Sequence, residues 1–573
     1  MAKVKIQGHA SGTGVITLTA PNTDTDRTIT LPDESITLSA GATTLDGLSD
    51  ATVYNTTTIG LGSGALDSMS SGNGRNTAVG YNALTANTSG YNNTAVGHLA
   101  GTAITDGYQN SIFGDRAGTA LTTGDNNTAI GQHALKTSTT GENDTAIGFD
   151  ALQGKTTGNG RNVAVGAGSM YTTTTGYQNV GIGYNSLRAH TTGYMNTAVG
   201  NDSLFSVTTG YENAALGHNA LYFSTANHNT AMGAYSGNST TTGARNTFIG
   251  SNAGRANTTG ANNTAVGRNA LTLNTTASYN AAFGYTTLGA NTTGAENTAV
   301  GSEALSSNTT GSRNVAVGYN AMRVNTTATD NVAVGDQALE QGTTGSSNTA
   351  IGRRALESST TGRYNVAVGT SAGENITTGE HNVLIGLNAG AHSYSADTLD
   401  GCILIGSYTD ASANNGSKQT VIGYNVTSTG NNAFTFGNAG LDSNIDFGAT
   451  SISAPSDQRL KEEITTSTAG LSFVNDLRPV TFKWKKEKDI PTDLKGYVEG
   501  SETRFKTDTT EHGFIAQEVK TAIDAHSEIK DGFDMWSEDS SGGRQRIADG
   551  ALVPILVKAI QELSAKVTAL ESE

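Results

Sequence analysis

A glycine returns every seventeen residues through most of this chain. Pentads of the type Asn-Thr-Ala-Val-Gly end at positions 80, 97, 114, 131, 148, 166, 183, 200, 217, 233, 250 and 267. They continue at 284, 301, 318, 335, 352, 369 and 386, with two one-residue slips that cancel. Weaker copies end at Gly62, Gly406 and Gly423. A unit this short cannot bury a face of its own, so its copies must stack.

The columns of the repeat indicate how. The residue before each glycine is bulky and apolar, as at Val79, Val96, Phe113, Ile130 and Ile385. Four residues before it stands Asn in every strong copy except one, which has Asp144. Small residues such as Ala83 and Ala304 follow three positions after it, then Leu or Met (Leu84, Met170, Leu305), or Gly. A Thr-Thr-Gly triplet closes the unit as a turn, where glycine is free to take positive φ. Alternating apolar positions in a five-residue run predict one short strand per unit, with a second short segment and turns.

Stacked about 4.8 Å apart, some twenty-two coils would span on the order of 100 Å. The Asn column would form a hydrogen-bonded ladder, the bulky column an interior spine, and the small Ala column a face for neighbouring chains. No proline lies between Pro32 and Pro455, as ladders of backbone N–H groups require. The fold class expected is mostly β, a trimeric β-solenoid over residues 51–440. Its pentads resemble the coils of trimeric autotransporter adhesin heads, β-rolls that associate in threes; the likeness covers residues from about 60 to 425. That resemblance implies a homotrimer.

Composition limits the rest. Formal charge is −16, and no basic run stands ready to neutralise phosphates, so nucleic acid is not an expected partner. Cys402 is the single cysteine, which rules out an intrachain disulfide. The ten His show no metal-ligand spacing, and no metal or other cofactor is expected. The start has no apolar signal-peptide core, and no stretch has the roughly 18 apolar residues of a membrane helix. Residues 1–50 alternate Thr with Ile or Leu and are read as a β attachment segment, resembling the N-terminal parts of phage tail fibres.

The chain changes character at Ser456. From there 38 of 118 residues are charged, against 46 of the preceding 455, and residues 441–455 read as a linker. "GLSFVNDLRPVTFKWK" predicts a helix and then a strand, and "HGFIAQEVKTAI" an extended start that turns helical at Gln517. The tail carries Val553, Leu556, Ile560, Leu563, Val567 and Leu570 in a 3-4 heptad seam, with Pro554 in the first turn. These stretches, with "SDQRLKEEI" ahead of them, resemble the C-terminal intramolecular chaperone domain of phage tail fibres and tailspikes, a class of auto-processing serine peptidases. The resemblance implies that Ser456 is the nucleophile, Lys461 its base and Pro455–Ser456 the bond cut. A lysine serves as base only where its surroundings lower its usual pKa of about 10.4, and assembly is expected to supply such surroundings. Asp457 and Arg459 are expected to position the loop, with Glu462 and Glu463 opening a helix.

The function expected is a phage tail fibre shaft for host attachment, trimerised by a domain that cleaves itself in cis and acts on no external substrate. Its place would be the virion, after synthesis in the host cytoplasm. Residues 1–50 would dock a tail or baseplate protein, and the shaft a host glycan or surface protein. Tyr177, Tyr194 and Tyr211 share a column beside the turn and are candidates for glycan stacking, or else pack on one another. The alternatives are a polysaccharide-degrading tailspike, a bacterial surface adhesin and an ice-binding solenoid. The first needs paired carboxylates, and acids such as Asp115, Glu142 and Glu303 do not recur in facing columns.

Overall fold

The computed structural model describes residues 51–572, less residues 56, 71–73, 392–397, 450–451, 454–455, 493, 495, 532 and 539–543. The segment 1–50 read as an attachment piece lies outside the described residues. Contacts divide the chain into two compact units, with the division between Pro455 and Ser456.

The first unit is a β-solenoid. After β1 (Ala51–Asn55), which pairs antiparallel with β2 (Thr58–Leu61), twenty-two strands from β2 to β23 (Thr420–Tyr424) stack parallel. Each coil lies in register with the next, so that Thr197, Ala198 and Val199 oppose Ala214, Ala215 and Leu216. The far side of the coil is also laddered, as where the Leu271 N–H donates to the Thr287 carbonyl at 3.0 Å. β24 (Ala433–Asn438) adds one more parallel strand, and β25 (Leu441–Asp446) folds back antiparallel on it. The stretch read as a linker therefore begins as a strand.

The strand faces are the reverse of the sequence expectation. The Ala column, Ala78 through Ala367, is fully buried, while the bulky column looks outward, Phe113 38 % and Ile130 39 % exposed. Strand alternation is the reason: Ala lies two residues from the buried Asn and shares its face, whereas the bulky residue and the Thr before it share the other. Only a small residue fits opposite the Leu that crosses the coil. Where the interior strand residue is large, the crossing position shrinks to glycine. Phe248 lies between Gly237 and Gly254, and a Cβ on Gly254 would come within 2.4 Å of its ring. Ile112 with Gly118 and Leu384 with Gly373 follow the same volume-conserving rule.

The two glycine columns differ in purpose. Gly80 and its equivalents hold φ near +134°, strained for any L residue. The Thr-Thr-Gly glycines do not take positive φ, apart from Gly158. They permit close stacking instead: a Cβ on Gly124 would sit 2.1 Å from the Gly141 carbonyl oxygen.

A side-chain ladder runs from Asn76 to Asn382, Asn at every rung but Asp144. At each rung the backbone N–H donates to the Oδ1 of the preceding rung, as Asn314 does to Asn297 at 3.0 Å. The Asn side-chain amides donate to a turn carbonyl, most often that of glycine, as Asn297 does to Gly311 at 2.9 Å, and in others that of Ala, as Asn314 does to Ala328 at 2.8 Å. Cys402 continues the column, its N–H donating to Asn382 Oδ1 at 2.9 Å. A second ladder joins Asn257, Asn274, Asn291, Asn308 and Asn325.

One coil breaks the pattern. Asp144 replaces a ladder Asn, and Lys155 occupies the position that is Asn257 or Asn274 elsewhere; both are fully buried. Lys155 Nζ donates to the Gly176 carbonyl at 3.1 Å, while Asp144 Oδ2 is left without a partner. This coil is one residue longer, and the extra backbone crosses Asp144, where a Cβ on Gly160 would fall 1.9 Å from Oδ1. Burial pushes the Asp144 carboxyl up to about 6 against the pull of Lys155. Burial pushes Lys155 down, with Asp144 opposing. A buried carboxylate stripped of its countercharge should cost about 3–5 kcal/mol.

Lys155→Met is therefore expected to loosen the coils around residues 128–180 near pH 7.5, read as faster amide exchange. The folded value of Asp144 lies above its unfolded 3.8, so the native coil takes up the proton first and gains stability as pH falls through about 6. The loosening should shrink near pH 5. A loss of protection independent of pH would contradict this.

Candidate processing site

The second unit is a small α+β fold. It comprises α1 (Leu471–Asp476), β26 (Val480–Phe482), β27 (Glu511–Gly513), α2 (Ala516–Ala525), β28 (Trp536–Glu538), β29 (Gln545–Ile547) and α3 (Val553–Glu571). β26 pairs with β27, and β28 with β29, both antiparallel. Its core gathers Ala469 and Phe473 with Val519 and Ile523 of α2, with Met535, and with Ile555 of α3. The helix-then-strand, the extended start before α2 and the terminal helix all lie where the pattern of apolar residues places them.

Ser456 and Lys461 stand ahead of α1. A short 3₁₀ turn, Gln458–Leu460, folds the chain between them. Asp457 caps it, Oδ1 accepting from the Arg459 N–H at 2.8 Å, and the Arg459 guanidinium closes back on the same carboxylate. The turn therefore forms at Asp457, and Glu462 and Glu463 follow it without opening a helix. Across it Lys461 Nζ donates to Ser456 Oγ at 2.7 Å. Both side chains are exposed, and so are the apolar neighbours Leu460 (72 %) and Ile464 (63 %). A pair in this geometry can move a proton from hydroxyl to amine once the amine is neutral. Pro455, on the other side of the expected cleavage bond, lies outside the described residues.

Residues 456–527 match the family model of a peptidase family described as the chaperone of endosialidase. The match begins at Ser456 and takes in α1, β26, β27 and α2. No curated protein matches the chain. A β-solenoid followed by an endosialidase-type chaperone region fits a tailspike- or fibre-type protein with a C-terminal chaperone. No described helix is long and apolar enough to cross a membrane. Among the described residues no three His, Cys, Asp or Glu side chains cluster to hold a metal ion.

In the solenoid Tyr177, Tyr194 and Tyr211 stack ring on ring, with centroids 5.2 and 4.8 Å apart and planes within 6°. The rings face one another; Tyr177 is exposed and Tyr194 and Tyr211 are half-buried.

The second unit is also tied by contacts far apart in sequence. His526 Nε2 lies 2.8 Å from Asp476 at the end of α1, its Nδ1 3.0 Å from Glu528, and its ring packs edgewise on Phe473. Asp476 first, then Glu528, raise the His526 pKa above its ordinary 6.5. Its contribution to stability is therefore complete below about pH 6.5 and lost as pH rises through the raised value. The unit should melt at lower temperature near pH 8.5 than near pH 6, and His526→Gln should flatten that difference. An unchanged slope in the variant would refute the assignment.

Proposed function

We propose that this chain is the shaft of a phage tail fibre serving host attachment, assembled as a homotrimer by its C-terminal unit, which then cuts the Pro455–Ser456 bond. The observation that carries the cleavage is the 2.7 Å contact between Ser456 and Lys461 at the first residues of a peptidase-family match. Neutral Lys461 takes the Ser456 Oγ proton, and Oγ attacks the Pro455 carbonyl carbon. The C–N bond then breaks, and the Ser456 nitrogen leaves as an amine with the proton returned by Lys461. Water hydrolyses the resulting ester, freeing the Pro455 carboxylate and regenerating the serine.

Neutral lysine requires desolvation. The exposed Leu460 and Ile464 flank Lys461 with apolar surface that a neighbouring copy would cover, which supports assembly as the trigger. The seam of α3 supports assembly too: Ile560 is 65 % and Leu570 71 % exposed in the single chain. In the solenoid, the outward Val, Ile and Phe column, rather than the Ala column, is the apolar surface offered to partner copies. Fixing three chains at one end sets the register of coils that are otherwise nearly interchangeable. Host glycans would meet the Tyr177–Tyr211 stack through ring edges and hydroxyls.

Intact and native mass of the expressed chain test this together. The wild type should lose its last 118 residues from the 58.7 kDa precursor and run as a trimer. Ser456→Ala and Lys461→Ala should assemble yet stay full-length. A Ser456→Ala chain that still sheds the C-terminal piece would remove the dyad, and a monomeric wild type would remove the assembly.

A further inference from the structure

α3 has two working faces. Ile555 and Ala559 are buried against the core, and Glu562 continues that side toward α1. The seam Leu556, Ile560, Leu563, Val567 and Leu570 lies roughly a quarter-turn around the helix and is exposed. α1 has neither a side-chain cap nor an acidic residue in its first turn. The missing acceptor comes from 91 residues away: Glu562 Oε2 accepts the Leu471 N–H at 2.9 Å. Negative charge there suits the positive end of the helix. Gly470 makes the approach possible, since a Cβ on it would stand 2.7 Å from both carboxylate oxygens. Lys558 Nζ, 3.7 Å from Oε1, holds the carboxylate from within α3. The nine residues before Leu471 lead straight back to Lys461.

We propose that Glu562 is a positioning residue that links the seam-bearing helix α3 to the N-terminal end of α1, and so transmits the association of copies to the segment 456–470 carrying Ser456 and Lys461. The inference rests on the reading of this unit as a self-cleaving assembly domain and adds how assembly would reach the dyad. In that arrangement cleavage waits on α3, because the segment is held only when the helix that recruits partners is itself in place.

The test follows full-length chain made by cell-free translation, with assembly read on native gels and cleavage by mass in the same samples. Amide exchange over residues 456–475 is measured alongside. Glu562→Ala leaves every seam residue intact and should assemble but cut about fivefold more slowly or worse, the scale of a lost helix cap. Glu562→Gln keeps an acceptor oxygen and should fall between. Gly470→Ala displaces the carboxylate from the α1 side, with α3 untouched, and should reproduce the slowing. In each slowed variant the Leu471 amide should exchange faster.

Variants that assemble and cut at the wild-type rate overturn the proposal. So do variants that fail to assemble at all, which would make Glu562 part of the assembly contact. If the wild type assembles but never cuts, the cleavage reading fails on its own. The link to α1 is then judged by exchange alone: unchanged exchange at Leu471 in Glu562→Ala would overturn it, and accelerated exchange would sustain it.

Discussion

The solenoid depends on a buried amide column. A seventeen-residue coil encloses little more than an Ala, a small residue and a Leu, too little apolar volume to carry the fold alone. At the entry to each strand the backbone N–H points inward, away from water, and must find an acceptor. The Asn of the preceding coil provides it, then uses its own amide to satisfy a turn carbonyl. Each coil is thus completed by its neighbours, and the column fixes both the axial spacing and the rotation of one coil on the next. Glycines at the two tight corners follow from that stacking, because any side chain there would enter the next coil's backbone.

Much of this was legible in the sequence. Period, coil number, the Asn ladder and the class of fold can all be read from column identities. The strand face was misread, because bulky residues were assigned to the interior by size alone. Alternation from the Asn, which the ladder already required to face inward, would have put Ala inside and Val, Ile and Phe outside. The complementary pairs Phe248 with Gly254 and Ile112 with Gly118 carried the same message. The second Asn ladder was present as a column seven residues after the coil glycine, but that column is interrupted by Leu121, Lys155 and His190, which hid it.

The C-terminal unit was legible in a different way. Its elements follow from local apolar spacing, and Ser456 and Lys461 from a motif. What joins those elements was not visible. Glu562 reaches Leu471 and His526 reaches Asp476 across long separations, and no local pattern marks either residue. The turn that brings Ser456 to Lys461 is set by the Asp457 cap, a short-range feature, yet the acidic pair Glu462 and Glu463 drew the helix start to the wrong place. Side chains that look alike in sequence are separated here by which of them finds a backbone N–H to accept.

The two units present matching demands. The solenoid leaves an apolar column along its outer strand face, and the chaperone unit leaves a seam along α3; each is a surface a lone chain does not cover. The coils are held internally by the amide column, and that column is the most direct point of attack. Hydrogen exchange of the full chain carrying Asn297→Ala, beside the outward-facing control Thr298→Ala, measures its weight. Losing Asn297 orphans the buried Asn314 N–H, worth about 1–3 kcal/mol, while the Gly311 carbonyl keeps the Asn308 amide as donor. Amides in the coils from residue 280 to 314 should then exchange at least about tenfold faster, with the control unchanged. Equal exchange in both variants would show that the column is ornamental and that the coils are held together by something else.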